Sequence, residues 1–340
     1  MKAAVIERFE APLVIREVET PAIGPGEVLV RVRACGICGT DLKILSGKVS
    51  KVSLPHIPGH EIAGEVCDVG YQVTDISVGD RVSVFSYLTC GRCRYCQAGR
   101  ESLCENLKGQ VGTTLAGGMA DFVKVPALNA LRIGSSISFP HAALFNDAVS
   151  TPYHALVSRA GLKEGDALVV VGVGGLGLHA VQIARALGAM VFAVDINDRH
   201  LEKAMELGSN IALNPNRDDI AKVIQEESAG QGADVVMDLV GQPETLEQGL
   251  KWLCPGGKLL VVGYNLTQAF SVHPRAITAK ELEILGCRSK NRHEMAEVIR
   301  WVEDKKIVPV VGELYPLVRV NEAYDRLRSG DVVGRVVLEP

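Results

Sequence analysis

The chain reads as an α/β protein with a β-rich first part, a doubly wound parallel sheet, and a tail that returns to the first part. Three observations predict this. From about Thr151, apolar β-branched runs alternate with segments of helical spacing, the rhythm of parallel strands joined by crossover helices. Before that point, short strand-type runs recur between Gly and Pro turns, as in an irregular barrel or sandwich. Between Asp166 and Asp195 a glycine-rich turn joins a buried strand to a helix.

In the first part, Lys2 to Ile6, Leu13 to Val18 and Val28 to Val32 are strand-type runs separated by Pro21 and Gly24-Pro25-Gly26. Glu61 to Val69 and Arg81 to Ser86 continue the series, and one helix is expected near Thr40. Cys35-Gly36-Ile37-Cys38-Gly39-Thr40-Asp41 and Pro58-Gly59-His60-Glu61 place a thiol and an imidazole on what the flanking glycines suggest are loops. Both are zinc-type ligands, although lone Cys and His residues more often pack than bind.

Cys90-x2-Cys93-x2-Cys96-x7-Cys104 is a stronger signal. Four thiolates at short spacing close a tetrahedron around zinc with no open position, so the lobe 88–106 is expected to hold a structural ion. A redox or iron–sulfur set is the alternative, and no further cofactor signal accompanies it. Four of the nine cysteines crowd into this lobe, which favours metal over disulfides.

The parallel sheet opens with Ala167 to Val171, apolar at every position as suits a strand buried on both faces. Gly172-Val173-Gly174-Gly175-Leu176-Gly177 follows, then a helix, then Val191 to Val194 ending at Asp195. A GxGxxG between strand and helix, with an acid about 20 residues further on, is the context of a dinucleotide site. Gly172 permits the turn, Gly174 admits the pyrophosphate, Gly177 allows close packing, and the helix N–H groups face phosphate. Asp195 suits both hydroxyls of an adenosine ribose and repels a 2′-phosphate, so NAD is expected over NADP. Later strands are expected at Asn210 to Leu213, Val235 to Leu239, Leu259 to Val262 and Leu282 to Gly286, with helices at Asp218 to Glu227 and Glu244 to Leu253. Pro255-Gly256-Gly257 is expected as a turn. The tail from Asn291 carries one amphipathic helix around Met295 to Val302, a second at Ala323 to Leu327, and a strand at Val332 to Leu338.

Composition excludes several classes. With 47% apolar residues, 22% charged residues and a net charge of −4, the chain has neither the basic footprint of a nucleic-acid binder nor that of an anionic-membrane binder. No apolar run approaches a membrane span, and Glu7 interrupts the first strand before a signal-peptide core forms, so a cytoplasmic place is expected.

Together these motifs resemble the medium-chain, zinc-dependent alcohol dehydrogenase family over nearly the whole chain. The resemblance implies a GroES-like catalytic domain in two pieces, 1–150 and 291–340, around a Rossmann NAD-binding domain, 151–290, with the active site in the cleft between them. It implies one catalytic and one structural zinc per chain. Cys38 and His60 match the catalytic ligands, Asp147 stands where the family has a cysteine, glutamate or aspartate, and Glu61 is a further ligand by exchange. Asp41 matches the position that orients His60. Thr40 matches the residue that takes the hydroxyl proton of an alcohol substrate. Where alcohol-active members relay that proton through a histidine, this chain has Lys43, which either substitutes or is a solvated surface lysine. Thr151, Leu176 and Val262 match supports of the nicotinamide, while His200 and Arg335 match positions near the ribose and the pyrophosphate; Gly172, Gly174, Gly175 and Gly177 complete the cofactor set.

The function implied is interconversion of an alcohol, secondary in the preferred reading, with its ketone or aldehyde, using NAD. A polyol or sugar dehydrogenase is the runner-up, suggested by the carboxylate ligand. A metal-independent enone or acyl-thioester reductase, and a non-catalytic nucleotide-binding scaffold, both sit poorly with a complete ligand set. A homodimer or homotetramer is expected, with Leu282 to Leu285 as a candidate edge for pairing. Cys67, Cys254 and Cys287 are expected to be packing thiols; Cys35 is near the metal in sequence, but the resemblance assigns only Cys38 to it; His56, His141 and His154 either line the cleft or, in the preferred reading, are structural or surface residues. The run Arg288-Ser289-Lys290-Asn291-Arg292 either meets an anion or forms a solvated loop, and the solvated reading is preferred.

Overall fold

The computed structural model describes residues 1–49 and 51–340, and the chain divides into two compact units. The first unit comprises Met1–Ser150, Lys290–Lys305 and Pro309–Pro340, and the second Thr151–Ser289 with Lys306–Val308. The short return of 306–308 to the second unit lies within what the sequence reading assigned to the tail.

The first unit is built on a seven-stranded sheet. Its order is Val311–Pro316, Arg335–Glu339, Glu27–Ile37, Glu61–Val69, Arg81–Val84 and Ala130–Arg132, with Phe122–Pro126 also pairing on Glu27–Ile37. Along Glu27–Ile37, Val28, Val30 and Val32 alternate into the core, the period-2 pattern of a strand with one buried face. They pack with Ile37, Ile62, Val66, Val82 and Val84. This strand runs through Cys35-Gly36-Ile37, where flanking glycines had suggested a loop. Gly36 is in register with Glu61 on one side and Val337 on the other, so the segment is held by a neighbour at each edge. The strand Val311–Pro316 was not expected; it is short, half-exposed and pairs parallel to Arg335–Glu339.

The second unit is a six-stranded sheet with all pairings parallel. The order is Ile211–Leu213, Met190–Val194, Ala167–Val171, Ala233–Asp238, Leu253–Val261 and Glu283–Gly286. In chain order this is third, second, first, fourth, fifth, sixth, the doubly wound Rossmann order whose crevice opens at the ends of the first and fourth strands. Ala167–Val171 is buried at every position, as its unbroken apolar run requires. One expectation fails here: Pro255-Gly256-Gly257 is not a turn before the fifth strand but lies inside Leu253–Val261. The register shifts between Ala233 and Val235, so a bulge absorbs the extra residues and pairing resumes at Lys258. Among the described residues no helix is long and apolar enough to cross a membrane.

Candidate active site

The first unit gathers Cys38, His60 and Asp147, whose ligand atoms all lie within 4.8 Å of one another. Each comes from a different local device. Cys38 caps the helix Gly39–Leu45: its Sγ accepts the Thr40 N–H at 3.2 Å, and Asp41 Oδ2 accepts the Cys38 N–H at 2.9 Å. A sulfur at a helix N-terminus sits in the positive end of the helix field, which favours thiolate. His60 immediately precedes the strand Glu61–Val69, and Asp147 follows the short 3-10 turn Leu144–Asn146.

Cys38 Sγ lies 3.3 Å from His60 Nε2, and His60 Nε2 lies 3.9 Å from Asp147 Oδ2. Ligands on a tetrahedral zinc with bonds of ordinary length stand roughly 3.3–3.8 Å apart, so the set is close to the spacing of three corners, and among the described residues no fourth His, Cys, Asp or Glu joins the group. The other ring nitrogen, Nδ1, faces Asp41 Oδ1 at 3.5 Å, and neither atom has a hydrogen bond to another group. Asp41 thereby stands where a carboxylate orients a metal-bound imidazole. The electrostatics reflect crowding of acidic groups. Burial pushes the Cys38 thiol up, whereas for His60 the charges of Cys38 and Asp41 outweigh burial and hold it well above its ordinary value. Burial pushes Asp147 up as well, but the hydrogen bond to His60 and the charge of Arg335 prevail and hold it well below the carboxylate range.

Two of the expected site residues are bonded to each other. Glu61 stands outside the group of three close donors, and its carboxylate is bonded by Arg335, Nε to Oε1 at 3.0 Å and Nη2 to Oε1 at 2.5 Å. Sheet register explains the pairing, because Glu61 and Val337 flank Gly36. A Cβ on Gly36 would stand 1.9 Å from Glu61 Oε2, so only glycine lets the carboxylate cross to its partner. Arg335 is buried with Glu61, and its Nη2 also donates to Asp147 Oδ2 at 3.0 Å. Despite the arginine, burial pushes Glu61 up to about 7.

Asn146 was not anticipated. It is fully buried, its Nδ2 donates to the His60 carbonyl at 2.7 Å and to Ser86 Oγ at 3.1 Å, and its Oδ1 accepts the Ser86 N–H at 3.0 Å. It therefore clamps the His60 backbone next to Asp147, and its only sequence signal was adjacency to Asp147. Lys290 and Arg292 also depart from expectation. Lys290 is 1% exposed rather than solvated, and Arg292 bonds Glu101 through its backbone N–H at 2.8 Å and its Nη2 at 3.2 Å. With the Ser102 N–H donating to Asn291 Oδ1, these residues tie the tail to the cysteine lobe. Thr40 and Lys43 lie on the capped helix, and Lys43 is half-buried rather than a solvated surface lysine.

In the lobe, the sulfurs of Cys90, Cys93, Cys96 and Cys104 also cluster within 4.8 Å. Cys93 and Cys96 are 3.5 Å apart and Cys90 and Cys96 3.9 Å, close to the edge of a zinc–thiolate tetrahedron and far beyond a disulfide bond. Backbone N–H groups of Arg92 and Cys93 lower Cys90 to about 6, which prepares a thiolate. The expected packing thiols Cys67, Cys254 and Cys287 are only partly buried, whereas Cys35 is buried.

In the second unit the glycine-rich turn follows Ala167–Val171 and runs into the helix Gly177–Ala186. Gly172 has φ +88, which a side chain would strain, and a Cβ on Gly177 would stand 2.2 Å from the Gly172 carbonyl oxygen. A Cβ on Gly174 would meet nothing within 4 Å, so the turn is open at that residue. Gly175 and Leu176 are half-buried beside it. Asp195 follows the second strand; its Oδ2 accepts the Val173 N–H at 2.8 Å and its Oδ1 the Asn197 N–H at 2.9 Å. His200 Nδ1 stands 3.3 Å from Asp195 Oδ2, which places both residues expected at the ribose together. Val262 follows the fifth strand, half-buried, and Thr151 is buried.

Comparison with known proteins shows the family. Residues 24–135 match the family model for the alcohol dehydrogenase GroES-like domain, and residues 175–304 that for zinc-binding dehydrogenases. An alcohol dehydrogenase of Geobacillus stearothermophilus is 38% identical over 100% of this chain and 99% of its own length. An acryloyl-coenzyme A reductase of Metallosphaera sedula is 32% identical over 99% of each chain. The crystal structure of the alcohol dehydrogenase from Aeropyrum pernix superposes with a TM-score of 0.93 at 31% identity, covering 100% of both chains. With two motif-bearing units, the expected donor sets and relatives matched end to end, the chain belongs to the medium-chain, zinc-dependent alcohol dehydrogenase family of oxidoreductases.

Proposed function

We propose that the chain is an NAD-dependent zinc alcohol dehydrogenase that interconverts a small alcohol, preferably secondary, with its ketone or aldehyde. The observation that carries this reading is the Cys38–His60–Asp147 cluster, three mutually close donors with no fourth His, Cys, Asp or Glu in the group among the described residues. A purely structural site closes its shell, as the four-cysteine lobe does, whereas an open corner is what a substrate oxygen needs. The same cluster argues against a metal-independent reductase, even though one relative acts on acryloyl-coenzyme A.

When bound at these sites, zinc supplies Lewis acidity and NAD an oxidant. The residues of the chain do the rest. Cys38, His60 and Asp147 fix the metal's position, Asp41 fixes the imidazole, and Asn146 fixes the His60 backbone. Thr40, two residues after Cys38, is placed to accept the substrate hydroxyl proton, and half-buried Lys43 stands one helical turn further on. In the second unit, the glycine-rich turn offers its open face and backbone N–H groups to the pyrophosphate. Asp195, positioned by Val173, Asn197 and His200, takes the adenosine ribose and repels a 2′-phosphate. Thr151, Leu176 and Val262 support the nicotinamide in this reading, and the four-cysteine lobe holds a second, structural zinc. Assembly as a dimer or tetramer through the outer strand Glu283–Gly286 belongs to the same proposal.

The polyol reading keeps one specific support, the oxygen ligand Asp147 in place of a thiolate. NADH formation by the purified protein with matched panels of simple secondary alcohols and polyols decides between them. Faster turnover of simple alcohols supports the first reading, and faster turnover of polyols replaces it with the second. No turnover of either panel overturns both.

A further inference from the structure

Asp238 ends the fourth strand of the second unit, Ala233–Asp238, in register with Val171 at the end of the first strand. It is fully buried, and no step of the proposed reaction uses it. One carboxylate oxygen, Oδ1, accepts the Val240 N–H at 3.0 Å and the Gly241 N–H at 2.6 Å. The other, Oδ2, has no hydrogen-bond partner among the described residues. Thr245 acts on the carboxyl from nearby, but its hydroxyl donates to the Gln242 carbonyl at 3.0 Å. Burial pushes the Asp238 carboxyl up. A buried carboxyl with one oxygen unmatched is costly, so what Oδ1 holds must offset it.

Oδ1 holds the loop that follows the fourth strand. The Asp238 carbonyl meanwhile accepts the Val262 N–H at 3.0 Å and the Gly263 N–H at 2.9 Å, which fastens the loop after the fifth strand to the same residue. The two loops pack backbone on backbone. A Cβ on Gly241, at φ +74, would stand 2.2 Å from the Tyr264 nitrogen, and a Cβ on Gly263 would stand 2.4 Å from the Leu239 carbonyl carbon. With no side chain to act as a cushion, a shift of 239–241 moves 262–264 with it. The glycine-rich turn has anchors of its own. The Gly172 N–H donates to the Val194 carbonyl at 2.8 Å, and the Val173 N–H to Asp195 Oδ2 at 2.8 Å.

We propose that Asp238 is a positioning residue for the nicotinamide end of the cofactor: its side chain seats 239–241, which in turn seats 262–264 and with it Val262. The adenosine end, fastened through Asp195 and the second strand, does not depend on it. This rests on the reading of the second unit as an NAD site with Val262 at the nicotinamide, and the test separates the two.

Wild type, Asp238→Ala, Asp238→Asn and Gly263→Ala are titrated calorimetrically with NADH and with ADP-ribose, which lacks the nicotinamide. If the freed loops keep the binding arrangement about a tenth of the time, Asp238→Ala binds NADH about tenfold more weakly, with ADP-ribose affinity changed by less than about threefold. Asp238→Asn restores NADH affinity, because its amide oxygen accepts the same two N–H groups. Gly263→Ala keeps the carboxylate but forces the loops apart, and it shows the same selective loss; it decides the matter if Asp238→Ala does not fold. Equal losses for both ligands, an unchanged NADH affinity, or no recovery with asparagine overturns the proposal. Wild type that binds neither ligand removes the NAD reading itself. Wild type that binds both equally removes the nicotinamide contact, and the proposal falls in either case.

Discussion

Asn146→Ala removes one buried amide and strips three hydrogen bonds from the wall of the candidate metal site. The His60 carbonyl loses its 2.7 Å bond, the Ser86 N–H its 3.0 Å bond, and Ser86 Oγ its 3.1 Å bond. Each buried backbone group left unsatisfied costs about 1–3 kcal/mol, so two of them amount to roughly 2–6 kcal/mol before a water enters the space. A loss near 3 kcal/mol is the central expectation. Because one bond holds the His60 backbone and Asp147 is the next residue, metal affinity at the Cys38 cluster should fall in parallel, by about tenfold. Asn146→Asp is expected to do no better. It keeps the acceptor for Ser86 but sets a carboxylate oxygen against the His60 carbonyl, exchanging attraction for repulsion in a dry site. Urea unfolding of the apo-proteins measures the stability term, and competition with a chromophoric chelator measures metal affinity. A loss under about 0.5 kcal/mol with unchanged metal affinity would refute the clamp, since that is the range of an ordinary surface substitution.

Other expectations follow from the same geometry. Arg335→Met leaves Glu61 and Asp147 without their shared cation and should cost about 3–5 kcal/mol in urea unfolding, with part regained in the double variant Arg335→Met/Glu61→Gln; equal loss in both would deny the coupling. Asp195→Ala should shift the kcat/KM ratio for NAD over NADP toward NADP, and an unchanged ratio would remove Asp195 from the ribose site. Burial pushes Asp195 up, but hydrogen bonds from His200 and the Asn197 and Val173 amides hold it below its ordinary value of 3.8. The folded state therefore binds fewer protons than the unfolded state in that range. Its contribution is complete above about pH 5 and is lost as pH falls through the folded value, so Asp195→Asn should flatten the acid side of the stability curve between about pH 5 and 3. Cys90→Ser should open the four-cysteine lobe, and limited proteolysis should then cut within 88–106 while the wild-type lobe stays intact.

Much of this was legible because its signals are local. Gly172, Gly177 and Asp195 fall within one strand–turn–helix–strand unit, and the cysteine lobe closes within 15 residues, Cys90 to Cys104. The six strands of the second unit follow from apolar runs that repeat in chain order. What escaped depends on distant partners. Arg335 and Glu61 are 274 positions apart, and only the sheet register that sets Gly36 between them makes them a pair. Asn146 bonds residues 60 and 86 positions away, with nothing in its own neighbourhood to mark it. Lys290 sits in a run of cations that resembles a solvated loop; its burial comes from Phe85 and Tyr87, on a different piece of the chain. The half-exposed strand Val311–Pro316 has a weak apolar pattern and exists because Arg335–Glu339 offers it an edge. The bulge at Pro255-Gly256-Gly257 likewise depends on pairing with Ala233–Asp238.

The most direct test is the zinc content per chain of wild type and Cys38→Ser, both purified with zinc present and confirmed to bind NAD equally. Two ions in wild type and one in the variant are expected, the remaining ion belonging to the four-cysteine lobe. One ion in both proteins would mean that Cys38, His60 and Asp147 hold no metal, and the catalytic reading would be wrong.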